Sequence, residues 1–317
     1  MNFIEKLLNA AQKNKSLLCV GLDPDPELMP SQIKVFEFNK AIIEATSNLV
    51  CAYKLNLAFY EALEFEGLDA IKRTIKYIPD NIPVIGDAKR GDIGNTAKAY
   101  AKTIFTNFNF DAATVNPYLG FDSIEPFIQY RDKGVFILCR TSNTGAKDLQ
   151  NLISINIVAQ PPEAQYEVSH LRIEPKEVKI GEQVSIEFQL KNVSNVKGSY
   201  TITLSPTLFE IVALKAEEWN IHGNIGLVVG ATYPEELRLI RQSHPDMPIL
   251  IPGIGVQGGD LAAAVRYGVD AQGQKAIINS SRQIIYASSE KDFAQAARRV
   301  ASELRNQINY HLSTPPL

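Results

Sequence analysis

The chain has 317 residues, of which 45% are hydrophobic and 21% charged, a composition typical of a folded globular protein. This composition excludes a chain that is disordered throughout, and a formal net charge of −3 excludes a strong positive field that would recruit nucleic acid or an acidic membrane surface. No apolar run approaches the roughly 20 residues that span a bilayer, and the first residues lack the pattern of a signal peptide. We therefore expect a cytoplasmic protein that binds neither nucleic acid nor membrane.

Short apolar runs rich in β-branched residues alternate along the chain with longer stretches of helical periodicity. Eight such runs predict strands at residues 16–23, 51–56, 83–89, 112–117, 134–140, 225–230, 248–252 and 276–279. Repeated strand–helix units build a parallel sheet, and eight of them are typical of a closed (β/α)₈ TIM barrel. The predicted class is therefore α/β, with the functional residues at the carboxyl ends of the strands.

The connection between the fifth and sixth predicted strands is much longer than the others. Within it Val184, Ile186, Phe188 and Leu190 alternate with polar residues, which indicates strands rather than helices. Turn signals occur around Gly181 and at residues 192–195. We therefore predict a discontinuous barrel domain, residues 1–152 and 207–312, a small all-β insertion, residues 153–206, and a frayed tail, residues 313–317. Without the insertion, the length of the remaining chain is close to that of a typical barrel of this kind, which has about 250 residues.

The clearest chemical signal follows the third predicted strand, where the sequence reads Asp87-Ala88-Lys89-Arg90-Gly91-Asp92. Residues two apart on a strand share a face, so the side chains of Asp87 and Lys89 should meet at the barrel mouth. Asp23 ends the first predicted strand, and Lys54 lies near the end of the second. An isolated cluster of charges also fits a solvated strand end. Acids and lysines on three neighbouring strands favour a catalytic site.

A glycine-rich loop, residues 252–260, follows the seventh predicted strand and precedes a helix. Such a loop can bind an anion through backbone N–H groups at the helix start, and the loops after strands seven and eight are the usual phosphate site of this barrel. Arg282 follows the eighth strand and could bind the same anion, although a surface ion pair is the alternative. The loop also matches the dinucleotide fingerprint. Because no acidic residue follows at the position that would hold a ribose hydroxyl, we favour a phosphate.

Taken together, these motifs resemble the orotidine 5′-phosphate decarboxylase family, in its longer bacterial subgroup. The resemblance rests on Asp87-x-Lys89-x-x-Asp92-Ile93-x-x-Thr96, Gly21-Leu22-Asp23, Lys54, Thr141-Ser142-Asn143, residues 252–260 and Ser281-Arg282. It implies the decarboxylation of orotidine 5′-phosphate to UMP, the last step of de novo pyrimidine biosynthesis, without metal or cofactor. It also implies a homodimer whose active sites lie at the subunit interface.

The resemblance implies a role for each matching residue. Lys89 would donate the proton, Asp87 would lie beside the departing carboxylate, and Asp92 would come from the neighbouring subunit. The substrate-binding residues implied for the ribose, pyrimidine and phosphate are Asp23, Lys54, Thr96 (also from the neighbouring subunit), Ser142, Gln257, Gly258, Gly259 and Arg282.

The sequence departs from the family pattern in two places. Thr144 occupies a position where the family usually has proline, which predicts a less rigid loop after Ser142. The insertion follows that loop closely and resembles the opening strands of immunoglobulin-like repeats, in residues 171–175 and 181–184. It contains only about half of such a domain, and chains near 50 residues are marginal alone.

Two alternative functions remain at this point. A magnesium-dependent sugar-phosphate decarboxylase or aldolase of the same barrel superfamily shares the Asp-x-Lys-x-x-Asp core, although Thr96, Ser142 and Gln257 disfavour it. The other alternative is a binding protein in which the insertion has impaired catalysis.

Overall fold

The computed structural model describes residues 1–153, 155–160, 163–174, 185–255 and 258–314. Packing separates them into two units, Met1–Ala146 with Val212–Leu317, and Lys147–Ile211. Gln257, the predicted turn around Gly181 and residues 315–317 of the predicted tail lie outside the described residues.

Twelve strands are present in the described residues. Five precede the second unit: β1 (Leu18–Gly21), β2 (Ala52–Asn56), β3 (Val84–Arg90), β4 (Ala112–Val115) and β5 (Gly134–Arg140). Four lie within it: β6 (Ile155–Gln160), β7 (Tyr166–Glu174), β8 (Ser185–Asn192) and β9 (Ser199–Leu204). Three follow: β10 (Ile225–Val229), β11 (Ile249–Ile251) and β12 (Ala276–Ser280).

The eight strands of the first unit form a closed barrel in the order β1-β12-β11-β10-β5-β4-β3-β2. Every neighbouring pair is parallel, and the pairing of Leu18 with Ile278 between β1 and β12 completes the closure. Strands buried on both faces read as continuous apolar runs, and β1, β4, β10, β11 and β12 are buried throughout. The predicted (β/α)₈ barrel and all eight of its strands are confirmed.

Helices connect successive barrel strands, as the helical periodicity predicts. The helices of the described residues are α1 (Phe3–Asn14), α2 (Val35–Thr46), α3 (Leu57–Glu61), α4 (Glu64–Tyr77), α5 (Gly94–Lys102), α6 (Phe121–Ile128), α7 (Lys147–Gln150), α8 (Leu208–Trp219), α9 (Pro234–Ser243), α10 (Leu261–Gly268), α11 (Arg282–Ile285) and α12 (Phe293–Ser313). None of them is both long enough and apolar enough to cross a membrane.

Helix α1 covers the amino-terminal end of the barrel. The Phe3 ring lies edge-on to Phe136 with 5.7 Å between centroids, and the Lys6 ammonium lies 2.8 Å from the Asp111 carboxylate just before β4. A methyl group on Gly134, the first residue of β5, would lie 2.4 Å from the Phe3 ring, so this packing requires glycine there. With one end covered by a helix, the open mouth at the carboxyl ends of the strands is left for the site.

The second unit contains two antiparallel pairs of strands. Strand β6 pairs with β9, from Ile155 opposite Leu204 to Gln160 opposite Ser199, and β7 pairs with β8. The alternation predicted at residues 186–190 is confirmed as part of β8, whereas Val184 lies outside the described residues. The Asn192 carboxamide accepts the Ser194 N–H at 2.9 Å, which forms the turn predicted there. The immunoglobulin-like resemblance stays a prediction.

Candidate active site

Four of the predicted site residues form a continuous array of alternating charges at the barrel mouth. The Lys54 ammonium lies 3.0 Å from the Asp87 carboxylate and 3.8 Å from that of Asp23. The Lys89 ammonium lies 2.6 Å from the other oxygen of Asp87. The contact predicted between Asp87 and Lys89 is therefore present, and Asp87 bridges the two lysines.

The two lysines differ in accessibility. The side chain of Lys54 is only 5% exposed and lies between two carboxylates, whereas that of Lys89 is 49% exposed. Lys89 therefore presents a cation to a molecule entering the mouth, while Lys54 orients and neutralises the acids beneath it.

The charges of the array support one another. Burial opposes ionisation of Asp87, but the ammonium groups of Lys54 and Lys89 outweigh it and hold the pKa of that carboxyl well below its usual range. Burial likewise opposes the charged form of Lys54, but Asp23 and Asp87 outweigh it and raise the pKa of that ammonium above its usual range. Asp87 and Lys54 are therefore both ionised at neutral pH.

The backbone of Lys89 has a left-handed conformation, with φ of +48°. It lies in an irregularity of β3, where Gly86 pairs with Ala113 of β4 and Arg90 with Val115, so β3 runs through more residues than its partner. A positive φ at a non-glycine residue is uncommon and clusters at functional sites. Strand alternation alone does not explain the contact between Lys89 and Asp87, because the bulge changes the direction of the Lys89 side chain.

Sequence reasoning missed three residues that hold the array. The Thr114 hydroxyl on β4 contacts both Asp87 and the backbone of Lys89. The Tyr286 hydroxyl donates to the Asp23 carbonyl at 2.9 Å, and the Tyr60 hydroxyl donates to the Leu22 carbonyl at 2.8 Å. Burial raises the pKa of Tyr286 to about 12, so its hydroxyl stays protonated and able to donate. These residues stand outside any motif, since Thr114 lies on β4, Tyr60 on α3 and Tyr286 just after α11.

Asp92 and Thr96 do not join the array within this chain. Asp92 accepts the Ile93 N–H at 2.8 Å and makes no ion pair with a described residue, and Thr96 is exposed on α5. Within this chain the Lys89 ammonium therefore contacts Asp87 but not Asp92. The expected role of Asp92 and Thr96 in the site of the neighbouring subunit stays a prediction.

The loop after β5 carries Ser142 and is held by residues that follow β10. The Thr232 hydroxyl donates to the Ser142 carbonyl at 3.1 Å, and the Tyr233 hydroxyl donates to the Asn143 carbonyl at 3.3 Å. A methyl group on Gly230 would lie 2.7 Å from Ser142, so glycine allows the close approach. Thr144, in the position expected to be proline, begins a short 3₁₀ turn that ends at Ala146.

Two backbone amides of the loop after β11 form hydrogen bonds within the loop, and the predicted anion site there stays a prediction. The N–H groups of Gly258 and Gly259 donate to the carbonyls of Gly255 and Gly253, at 2.8 and 3.1 Å. The side chain of Asp260 accepts the Ala263 N–H at 3.0 Å and so caps α10. The N–H groups of Gly258 and Gly259 therefore stabilise the turn through hydrogen bonds to its own carbonyls.

Arg282 remains available at the same end of the barrel. Arg282 is exposed at the start of α11 and makes no ion pair with any residue that the structure describes. The adjacent Ser281 hydroxyl donates to the Gly21 carbonyl at 3.0 Å, which ties the loop after β12 to β1 and therefore to Asp23.

Comparisons with known proteins agree with this fold. A model of the family described as orotidine 5′-phosphate decarboxylase / HUMPS matches residues 16–300. The chain is 47% identical over 311 residues to the orotidine 5′-phosphate decarboxylase of Dehalococcoides mccartyi strain CBDB1, with 98% of each chain covered. It is 46% identical over 320 residues to that of Cellvibrio japonicus strain Ueda107, again with 98% of each covered.

A solved structure extends the comparison to the fold. The orotidine monophosphate decarboxylase of Leishmania donovani matches with a TM-score of 0.74 and 35% identity, over 99% of this chain and 100% of that one. The family resemblance predicted from the motifs is thereby confirmed over nearly the whole length. With its closed parallel barrel and its alternating acids and lysines at the mouth, this chain belongs to the orotidine 5′-phosphate decarboxylase / HUMPS family.

Proposed function

We propose that this chain decarboxylates orotidine 5′-phosphate to UMP in the cytoplasm, as the last step of pyrimidine biosynthesis. The observation that carries the proposal is the Asp23–Lys54–Asp87–Lys89 array at the mouth of a barrel of this family. The relatives named above are orotidine 5′-phosphate decarboxylases along almost their full length, which supports the same substrate here.

The proposed reaction breaks the bond between the pyrimidine ring and its carboxylate. The electron pair of that bond stays on the ring carbon as carbon dioxide leaves, and the Lys89 ammonium donates a proton to this carbon. A lysine that already bears its proton stabilises the developing charge before the transfer. Lys89 then regains a proton from solvent. Asp87 orients the ammonium through the 2.6 Å contact, and in the proposal it lies beside the departing carboxylate.

Substrate binding is proposed to use the ring of loops around the array. Arg282 and Gln257 take the phosphate, Asp23 and Lys54 the ribose, and Ser142 the pyrimidine. Gly258 and Gly259 contribute by allowing their loop to close. Binding energy from the remote phosphate can exclude water from the reacting carbon, where fixed charges act more strongly.

The magnesium-dependent alternative is not favoured. The carboxylates of Asp23 and Asp87, which a divalent cation would need as ligands, both lie within ion-pair distance of the Lys54 ammonium. The proposed chemistry draws on the side chains of the protein alone, without metal or cofactor.

We further propose that the protein acts as a homodimer in which Asp92 and Thr96 complete the site of the partner. Three apolar side chains near them are exposed, namely Ile93 (51%), Tyr118 (80%) and Leu119 (49%). The loops that carry them are adjacent, since the Asn116 N–H donates to the Arg90 carbonyl at 2.7 Å. An exposed apolar surface beside two polar residues that do not contact the array of their own chain is typical of a shared interface.

Mixing two inactive variants tests the shared site. Lys89→Ala and Asp92→Ala homodimers should both be nearly inactive, because each lacks one residue in every site. Random re-association after mixing makes half of the dimers mixed, each with one intact site, so about a quarter of wild-type activity should return. A mixture as inactive as its parents would contradict the shared site. Lys89→Ala mixed with Lys89→Ala,Asp92→Ala is the matched control and should stay inactive.

Ultraviolet-monitored turnover of orotidine 5′-phosphate by the purified chain tests the function itself. We expect turnover that a chelator does not diminish, whereas loss with chelator and recovery with magnesium would support the alternative.

A variant lacking residues 153–206 addresses the insertion. Because the Leu208 N–H donates to the Leu152 carbonyl at 2.9 Å, the ends to be joined are already adjacent. We expect the deletion variant to retain turnover, because loop insertions and deletions of this kind cost little when the ends meet. An inactive full chain with an active deletion variant would show that the insertion impairs catalysis, as the binding-protein alternative expects. If both proteins fold and both are inactive, the proposed function is refuted.

A further inference from the structure

We propose that Thr114 is a positioning residue for this reaction, whose hydroxyl sets the placement of Lys89 relative to Asp87. This inference rests on the proposed function, since it concerns the same site. Thr114 lies on β4, beside the strand that carries both charged residues, and is 1% exposed.

The hydroxyl of Thr114 joins two parts of the site. It donates to Asp87 Oδ1 at 2.9 Å and accepts the backbone N–H of Lys89 at 3.0 Å. Oδ1 is also the oxygen that contacts the Lys89 ammonium. The Thr114 hydroxyl and the Lys89 ammonium therefore contact the same carboxylate oxygen, and the hydroxyl also holds the Lys89 backbone. A displacement of the hydroxyl would move the carboxylate and the lysine backbone together.

The backbone of Lys89 needs such a restraint. Its φ of +48° is a conformation that a non-glycine residue adopts only when its surroundings impose it. Regular pairing between β3 and β4 is interrupted from Gly86 to Arg90, so the ladder does not supply the Lys89 N–H with its usual partner. The Thr114 hydroxyl takes that place. It thereby stabilises the backbone conformation from which the lysine side chain extends toward the mouth.

Thr114 lies one layer behind the reacting groups, because it contacts Asp87 and the backbone of Lys89 rather than the exposed ammonium. Its loss should therefore change the rate of the reaction more than the binding of substrate. A small misplacement of a catalytic group lowers the rate substantially even when binding is preserved.

The test compares Thr114→Val, which keeps the shape but removes the hydroxyl, with Thr114→Ser, which keeps the hydroxyl. For Thr114→Val we expect kcat to fall by about 10- to 100-fold, while KM and the affinity for UMP change by less than about threefold. For Thr114→Ser we expect kcat within about threefold of wild type. Thr46→Val is the matched control, since it removes another buried hydroxyl, which donates to the Ile42 carbonyl, away from the site. Its kcat should stay within about twofold of wild type.

The outcomes separate the two proposals. If wild type itself has no turnover, the proposed function fails and this inference fails with it. If wild type is active and Thr114→Val keeps its kcat, or Thr114→Ser loses as much as Thr114→Val, only the role of the hydroxyl is overturned. Should Thr114→Val not fold, Thr114→Cys serves instead, because its thiol is a weak hydrogen-bond partner of similar size. A folded Thr114→Cys protein with wild-type kcat overturns the inference equally.

Discussion

Replacing Lys89 by alanine is expected to lower kcat for orotidine 5′-phosphate by at least about 10⁴-fold, because the change removes both the proton donor and the cation nearest the developing carbanion. Lys89 is the more accessible lysine of the array, and its ammonium is oriented by Asp87 at 2.6 Å. Steady-state kinetics with high enzyme concentrations would measure the residual rate.

The same variant should still bind UMP. Arg282 and the residues around Asp23 remain in place, so we expect the dissociation constant for UMP to change by less than about tenfold. Lys72→Ala is a suitable control, since Lys72 is exposed on α4 away from the barrel mouth, and it should leave kcat unchanged. A Lys89→Ala protein that is folded, binds UMP and keeps a kcat within tenfold of wild type would refute the proposed role.

Replacing Lys54 by methionine should strongly destabilise the fold as well as abolish turnover. The change removes the buried cation that lies within 4 Å of two carboxylates, leaving Asp23 and Asp87 close together without it. Removing one partner of a buried ion pair typically costs about 3–5 kcal/mol of unfolding free energy. Equilibrium urea denaturation at pH 7 would measure this loss.

The pH dependence of that loss has a definite sign. The pKa of Asp87 in the folded state lies below its ordinary value, so its contribution to stability is present above about pH 4 and is lost as pH falls through the folded-state pKa. The pKa of Lys54 lies above its ordinary value, so its contribution is present below about pH 10 and is lost as pH rises through the folded-state pKa. The difference between wild type and Lys54→Met should therefore be largest between about pH 5 and 9 and smaller toward either extreme.

Lys6→Met provides the comparison at the other end of the barrel. Lys6 forms a 2.8 Å ion pair with Asp111, but both side chains are more exposed than those of Lys54, Asp23 and Asp87. We expect its loss to cost about 1 kcal/mol or less. Equal losses for Lys6→Met and Lys54→Met would contradict the view that burial between two acids makes Lys54 structurally important.

Much of the candidate site follows from local sequence patterns. Asp23 follows its strand, while Lys54, Asp87 and Lys89 lie toward the carboxyl ends of theirs, and parallel strands bring those ends to one mouth. Their charges also alternate in sign, which predicts contact. The hydrogen bonds of Gly258 and Gly259 were less predictable, because they depend on how the turn closes rather than on glycine content.

The sequence by itself therefore determined the eight strands, the family and the charged residues at the barrel mouth, because hydrophobic period and strand ends are local properties of the chain. Only the tertiary structure decided that Lys89 adopts a left-handed backbone conformation, that Thr114 joins it to Asp87, and that Asp92 stays apart from both. These features depend on the register between β3 and β4, and a bulge shifts that register without leaving a periodic signal in either strand.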